Sequence, residues 1–111
     1  MGKTFSKDVP IAETAYPFTL DWNDWTDIIV GSNDQLILPD YPATATGQKS
    51  FMEQIRTMTN EVEHGIGFCY WGGELIAWKG NESTAASPWE NQALFDFDNK
   101  ALPVMHVFQM D

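Results

Sequence analysis

The feature of this 111-residue chain that most constrains its fold is one amphipathic helix between two short apolar segments. The apolar runs Asp8–Thr14 and Ile66–Trp71 each have the length of a buried strand, and the second is suited to a strand buried on both faces. Between them, from about Thr46 to Val62, apolar side chains recur at helical spacing and predict one apolar stripe, made of Phe51, Ile55, Met58 and Val62. A strand, a helix and a strand in this order predict parallel strands joined by a crossover, and therefore an α/β fold.

The ends of the predicted helix carry capping residues. Thr44 or Thr46 is expected to cap its start, and Gly65 to end it in a left-handed conformation. The stretch from Lys100 to Met110 predicts a short final helix, with Pro103 tolerated in its first turn.

Residues 15–43 form a long segment with no helical or alternating period, rich in aromatic and acidic side chains. A short strand at Leu36–Leu38 is the one regular element expected there. Irregular segments of this length in compact domains more often bind ligands than merely connect elements. We therefore expect a binding loop between the first strand and the helix.

The charge balance excludes several partner classes. Six lysines and arginines stand against 16 aspartates and glutamates, a net charge of -10, so no cationic surface is available for phosphates or anionic headgroups. No apolar run reaches the roughly 18 residues of a membrane helix. The single cysteine, Cys69, can form neither an intramolecular disulfide nor a multi-cysteine metal site. We expect neither a nucleic-acid nor a membrane partner.

Two residues at predicted strand ends are the first candidates for chemistry. Glu13 lies at the carboxyl end of the first strand, where parallel α/β folds present catalytic groups. Trp71 ends the second strand, and an indole there offers an apolar plane for a sugar ring and an N–H donor. On position alone, Glu13 fits equally well a residue that merely marks where the strand exits into solvent. Trp71, on the same ground, fits a core residue better than a binding residue. Five tryptophans, several in polar loops, favour a carbohydrate-binding surface.

Four further carboxylates are candidates for a second acid beside Glu13: Glu74, Glu90, Asp96 and Asp98. Asp96 and Asp98 flank Phe97 and are expected to be turn or cap residues instead.

Three stretches resemble glycoside hydrolase family 53, the arabinogalactan endo-β-1,4-galactanases. They are Ile-Ala-Glu-Thr-Ala-Tyr-Pro-Phe-Thr-Leu (11–20), Gly-Phe-Cys-Tyr-Trp (67–71) and Trp-Glu-Asn-Gln-Ala-Leu-Phe-Asp-Phe-Asp-Asn-Lys-Ala-Leu-Pro (89–103), of which the third is the most specific. The helix start Thr46-Gly-Gln-Lys49 also fits the family's spacing, and the resemblance runs from about Lys7 onward.

The resemblance implies a partial (β/α)8 TIM barrel: its last two β/α units, strands seven and eight with their helices. Residues 1–111 are then a carboxyl-terminal fragment of the catalytic domain. Carried over by motif, Glu13 is the nucleophile, Trp71 the floor of the sugar subsite, and Tyr16 a residue that positions the nucleophile or the sugar. Trp22 and Trp89, from the loops, complete the expected substrate-binding set.

The implied activity is that of a retaining endo-β-1,4-galactanase acting on pectic arabinogalactan. Such an enzyme uses two carboxyl groups about 5 Å apart, a nucleophile and an acid/base. The family's acid/base glutamate follows an asparagine on an upstream strand, and neither Asn60-Glu61 nor Asn81-Glu82 holds that place. We therefore expect this fragment to be inactive alone and to require the missing upstream part of its barrel as partner.

Two departures from the family pattern concern the predicted strand ends. Pro10 lies inside the first strand, where it donates no ladder hydrogen bond. After Trp71 the chain reads Gly-Gly-Glu-Leu-Ile-Ala-Trp (72–78) where the family usually has Glu-Pro-Ala-Trp.

Cofactor and location follow from the same resemblance. Some bacterial members hold calcium in the loops after strands seven and eight, but the run Asp21–Asp27 does not match their ligand pattern. We expect no cofactor and no metal ligand, with calcium in these loops as the open alternative. The parent protein is expected to be secreted or periplasmic, although no apolar run follows Lys3 and we therefore do not expect a signal peptide within this chain.

Two other classes of protein remain open. A non-catalytic carbohydrate-binding module would use the loop tryptophans and form a closed domain without unpaired strands. A structural α/β domain would show no change in tryptophan fluorescence with galacto-oligosaccharides.

Overall fold

A computed structural model describes residues 7–109 as a parallel strand pair connected through one long helix. Strand β1 spans Val9–Thr14, helix α1 spans Ala45–Glu61 and strand β2 spans Gly65–Tyr70. The two strands pair in parallel, with Val9 opposite Gly65 and Thr14 opposite Tyr70. The strand–helix–strand prediction is confirmed, because each bound lies within about one residue of the expected one. No helix in the described part of the chain is long and apolar enough to cross a membrane.

The remaining regular structure is short. Within residues 7–109, three 3-10 helices span Asn33–Gln35, Glu90–Gln92 and Pro103–Phe108. The last of them confirms the predicted final helix, with Pro103 in its first turn, whereas Met110 lies outside the described residues. In place of the strand expected at 36–38, Ile37 makes one isolated antiparallel bridge to Tyr41.

Thr44 caps the start of α1. Its hydroxyl accepts a hydrogen bond from the Gly47 N–H at 2.9 Å, which satisfies one of the first free N–H groups of the helix. A Cβ atom on residue 47 would overlap the carbonyl oxygen of Pro42. Glycine is therefore required for the incoming chain to pass this close to the first turn.

The end of α1 differs from the prediction in one respect. His64, not Gly65, takes the left-handed conformation, with φ of 64°. Gly65 is the first residue of β2, where a Cβ atom would overlap the Thr59 carbonyl oxygen. The missing side chain thus lets β2 start directly against the last turns of the helix.

The buried face of α1 is not the predicted stripe. Phe51 and Ile55 pack against the core, but Met58 and Val62 are exposed, and that part of the prediction is wrong. The residues that the helix buries are Gly47, Gln48, Met52 and Thr59. Two of them are polar side chains that are hydrogen-bonded inside the protein, so hydrophobic spacing placed the stripe on the wrong line of the helix.

The core lies between α1, one face of β2 and the last 3-10 helix. Its buried side chains are Phe18, Met52, Leu102, Val104 and Val107, and Phe68 and Tyr70 of β2 pack against them. The sequence predicts a β2 buried on both faces, but Ile66 and Cys69 are exposed. Within residues 7–109 the sheet has two strands, so each strand has a neighbour on one side and an open edge on the other.

Candidate active site

Glu13, Trp71 and Trp89 meet in a cleft at the carboxyl ends of the two strands. The cleft has a volume of about 380 Å³ and is lined by Glu13, Thr14, Ala15, Trp71, Trp89 and Gln92. The backbone N–H of Trp71 donates a hydrogen bond of 2.8 Å to the Thr14 carbonyl oxygen, which extends the strand pairing past the end of β2. Parallel pairing therefore brings Glu13 and Trp71 together, and the segment after β2 places Trp89 beside them.

The two indoles in the cleft hold each other in place. Trp71 and Trp89 pack edge to face, with ring centroids 4.7 Å apart and an interplanar angle of 74°. Trp71 is 37% exposed, so it is a cleft wall rather than a core residue. An aromatic wall of this kind can stack against the C–H face of a sugar ring.

Glu13 is exposed at the mouth of this cleft. Its carboxylate accepts no hydrogen bond from the other residues between 7 and 109, which leaves both oxygens available to a ligand or to an attacked carbon atom. Glu13 is also the one carboxylate among the described residues that line the cleft.

Gln92 is a cleft residue that the sequence interpretation missed. It is 6% exposed, and its Nε2 atom has no hydrogen-bond acceptor among residues 7–109. A buried donor without a partner is uncommon and costs free energy, so this side chain lowers the stability of the cleft wall in which it lies. The available signal was a polar side chain within the third family-like stretch, three residues after Trp89.

A buried hydrogen-bond network joins the end of β1 to Gln92. The Tyr70 hydroxyl accepts from the Tyr16 N–H at 3.0 Å and donates to the Gln92 carbonyl oxygen at 2.7 Å. Gln48 Nε2 donates to the carbonyl oxygens of Tyr16 and Ala93, both at 3.0 Å. Burial raises the pKa of Tyr70, which keeps the hydroxyl proton available as a donor. The helix thereby holds both sides of the cleft in register.

Tyr16 does not line the Glu13 cleft. It is 5% exposed, its ring stacks on Phe51 at 4.3 Å, and its hydroxyl donates to the Tyr41 carbonyl and accepts from the Ile37 N–H. The structure gives Tyr16 a role in fixing the β1–α1 loop, without a side-chain contact to Glu13. That Tyr16 positions the nucleophile or the sugar stays a prediction. Tyr16 would do so through the backbone of the loop and not through its own side chain.

Trp22 is also outside the Glu13 cleft. It is exposed on the β1–α1 loop and lines two other depressions of the surface. The structure thus separates Trp22 from the other predicted sugar-binding residues.

The other candidate carboxylates do not face Glu13 across the cleft. Glu74 is exposed elsewhere, and Glu90 is fully buried. The Asp96 carboxylate accepts from the N–H groups of Asp98 and Lys100, both at 2.9 Å, in the turn that the sequence predicts.

The acidic residues of the loop do not fit a calcium cage. Asp24 is buried, Asp21 and Asp27 are exposed, and no group of three or more metal-ligating side chains gathers among residues 7–109. Calcium normally takes six to eight oxygen ligands, and these side chains do not supply such a set.

An exposed carboxylate and an aromatic wall at the carboxyl ends of parallel strands define a β/α-barrel type of site, in a chain that holds only part of such a barrel. The chain belongs to glycosyl hydrolase family 53, whose model matches residues 1–108.

Individual relatives agree with this assignment. An arabinogalactan endo-β-1,4-galactanase of Cellvibrio japonicus is 32% identical over 114 aligned positions, covering 100% of this chain and 30% of the relative. An uncharacterized protein of Niallia circulans is 33% identical, covering 92% of this chain and 28% of the relative. The solved catalytic domain of this family from Ignisphaera aggregans superposes with a TM-score of 0.84 at 38% identity, over 98% of this chain and 31% of that structure.

The chain is therefore a partial α/β unit with the fold of the family's TIM-barrel catalytic domain, as the family resemblance implies. It spans about 30% of the length of the curated relatives it matches.

Proposed function

We propose that this chain supplies the nucleophile and the sugar platform of a retaining endo-β-1,4-galactanase. The observation that carries the proposal is the cleft in which the exposed Glu13 carboxylate lies beside the Trp71–Trp89 wall. The substrate is the β-1,4-galactosidic bond of pectic arabinogalactan, in keeping with the names of the galactanase relatives. The chain corresponds to strands seven and eight of the barrel.

The chemistry assigned to the cleft is nucleophilic attack on the anomeric carbon. A Glu13 oxygen forms a covalent bond to that carbon while the glycosidic bond breaks, and the leaving oxygen takes a proton from a second carboxyl group. Water then hydrolyses the glycosyl–enzyme intermediate. Trp71 supports the apolar face of the sugar.

The second carboxyl group comes from the upstream part of the barrel. Glu61 ends α1 and Glu82 lies in the loop after β2, and neither is among the residues lining the Glu13 cleft. General acid catalysis contributes about 10²- to 10⁴-fold to the rate. The chain alone should therefore hydrolyse galactan very slowly.

An activated substrate separates the nucleophile from the acid. A 2,4-dinitrophenyl 2-deoxy-2-fluoro-β-galactobioside needs no protonation of its leaving group and traps the glycosyl intermediate. We expect mass spectrometry to find the adduct on the peptide containing Glu13 and none on the Glu13→Gln variant, with Glu82→Gln as the matched control that still labels. Labelling of another carboxylate, or fast galactan hydrolysis by the chain alone, would contradict the proposal.

The alternative of a carbohydrate-binding module has less support. It requires a closed small domain, whereas the sheet of residues 7–109 has two parallel strands with open outer edges. In the proposal the parent enzyme is secreted or periplasmic, because its polymeric substrate lies outside the cell.

A further inference from the structure

Gln48 is a fully buried polar residue in the first turns of α1. Its Nε2 atom donates to the carbonyl oxygens of Tyr16 and Ala93, both at 3.0 Å. Tyr16 follows the end of β1 that carries Glu13, and Ala93 follows Gln92 in the segment that carries Trp89. One amide group therefore bridges two segments that both contribute residues to the Glu13 cleft.

The Tyr70 hydroxyl makes a second bridge between the same two segments. It accepts from the Tyr16 N–H at 3.0 Å and donates to the Gln92 carbonyl oxygen at 2.7 Å, and Gln48 Nε2 lies 3.2 Å from it. Both bridges end on backbone atoms of the two segments. They consequently fix the path of the chain on each side, rather than the rotamer of one side chain.

Strand pairing alone does not place Trp89. The pairing of β1 with β2 holds Glu13 and Trp71 at neighbouring strand ends, whereas Trp89 lies outside both strands, just before a 3-10 helix. Other backbone bonds attach the Trp89 segment to Phe18 and Gly73, which are loop residues. The Gln48 and Tyr70 bridges are the contacts that attach this segment to α1 and to β2 themselves.

Stability alone does not account for a glutamine at position 48. Burying an amide costs desolvation that an aliphatic side chain of similar size avoids, and each internal hydrogen bond returns little net free energy. The Oε1 atom also has no hydrogen-bond donor among residues 7–109, which adds to the cost. What a connected buried polar group provides is one defined arrangement of the segments that it joins.

We infer that Gln48 and Tyr70 are positioning residues, which set the distance between Glu13 and the Trp89 side of the cleft. Neither side chain lines the cleft, so each acts through the backbone that it holds. The consequence for catalysis rests on the proposed function. A reacting group displaced by about 1 Å can lose about 10²-fold in rate, so the width of the cleft matters more for the chemical step than for sugar affinity.

The first test measures the geometry of the cleft without any sugar. Trp71 and Trp89 lie close enough, at 4.7 Å between centroids, for their excited states to couple and give a paired band in far-ultraviolet circular dichroism. Trp89→Phe identifies this band by removing it. We expect Gln48→Met, which keeps the side-chain length but removes the donor, to weaken the band, and Tyr70→Phe to do the same.

The second test measures the labelling of Glu13 by the activated fluorogalactobioside over a range of inactivator concentrations. We expect Gln48→Met and Tyr70→Phe to lower the saturating labelling rate about tenfold, with a smaller change in the concentration that gives half of that rate. Val107→Ala is the matched control, because Val107 lies in the core and shares a depression with Ile66 at the start of β2, away from the cleft. It should lower the stability in urea but leave the band and the labelling rate unchanged.

The outcomes separate this inference from the proposed function. If Gln48→Met and Tyr70→Phe keep both the paired band and the labelling rate, or if Val107→Ala loses them equally, the positioning role is refuted while labelling of Glu13 still stands. If the unmodified chain is not labelled at Glu13, the proposed function fails, and the paired band alone decides whether Gln48 and Tyr70 set the geometry of the cleft.

Discussion

Glu90 offers the sharpest test of the energetics around the β1–α1 loop. Its side chain is fully buried, Oε1 accepts from the Asn23 N–H at 2.8 Å, and Asp24, also buried, lies beside it. Neither Glu90 Oε2 nor Asp24 Oδ2 has a hydrogen-bond donor among residues 7–109. When both are ionised, the two buried carboxyl groups lie side by side without a donor between them, whereas a neutral Glu90 supplies a donor through its own proton.

The substitution Glu90→Gln supplies that donor at constant shape. The oxygen of the introduced amide keeps the bond to the Asn23 N–H, and the amide nitrogen can donate to the Asp24 carboxylate. A net gain of about 1 kcal/mol in the free energy of unfolding at pH 7 follows from one added hydrogen bond. Glu90→Ala is the contrasting variant, because it leaves the Asn23 N–H without its acceptor and should cost about 1–3 kcal/mol.

The pH dependence has a definite sign. Burial raises the pKa of Glu90 above its ordinary value near 4.5, and the Asp24 charge adds to this against the opposing bond from the Asn23 N–H. The folded chain therefore retains this proton over a pH range in which the unfolded chain has lost it. The contribution of Glu90 to stability falls as the pH rises from about 4.5 through the folded pKa, and the glutamine substitution removes that fall.

Urea unfolding followed by tryptophan fluorescence measures the effect. We expect the stability difference between Glu90→Gln and the unmodified chain to widen in favour of the glutamine as the pH rises above about 4.5 through the raised pKa of Glu90. A glutamine variant that is less stable at neutral pH, with a difference independent of pH, would refute the reasoning.

Three other substitutions test the parts that hold the cleft. Tyr70→Phe leaves the Gln92 carbonyl without its donor and should lower the free energy of unfolding by about 1–3 kcal/mol, measured in urea. An unchanged urea midpoint of unfolding would show that the hydrogen-bond network is not needed. Gly47→Ala places a Cβ atom against the Pro42 carbonyl and should cost about 1–3 kcal/mol in thermal unfolding, and equal stability would rule out the close approach. Gln92→Leu removes a buried donor that has no acceptor among residues 7–109 and should raise the free energy of unfolding by about 1 kcal/mol, measured in urea; a loss of stability would show that the Gln92 side chain is paired in the folded chain.

The sequence predicted the strand ends of the site better than the loops around it. Glu13 and Trp71 follow apolar runs of strand length, and parallel pairing necessarily places the ends of such runs together. Trp89 lies beside them in the structure. Neither residue spacing nor hydrophobic periodicity predicts the distance between a loop residue and a strand end. For the same reason the sequence could not show that Tyr16 and Trp22 lie outside the cleft.

Buried polar side chains account for the misplaced stripe of α1. Gln48 faces the interior because the carbonyl and hydroxyl groups that it bonds lie on distant segments, while the Thr59 hydroxyl donates to the Arg56 carbonyl within the helix. A hydrophobic pattern treats such residues as surface, and so it runs through Met58 and Val62 instead. Gln92 was overlooked for a related reason, since an unpartnered buried amide becomes visible only once its surroundings are known.

The parallel pairing of β1 with β2 also bears on how quickly the molecule can assemble. The bond from the Tyr16 N–H to the Tyr70 hydroxyl joins residues 54 positions apart, and the Asn91–Thr19 bond joins residues 72 apart. Closing such long chain segments costs entropy before any contact repays it, and folds dominated by distant contacts form slowly. We therefore expect α1 to form early and the Glu13 cleft to be among the last features completed, so that the recovery of sugar binding after dilution from urea should lag behind the recovery of helical circular dichroism.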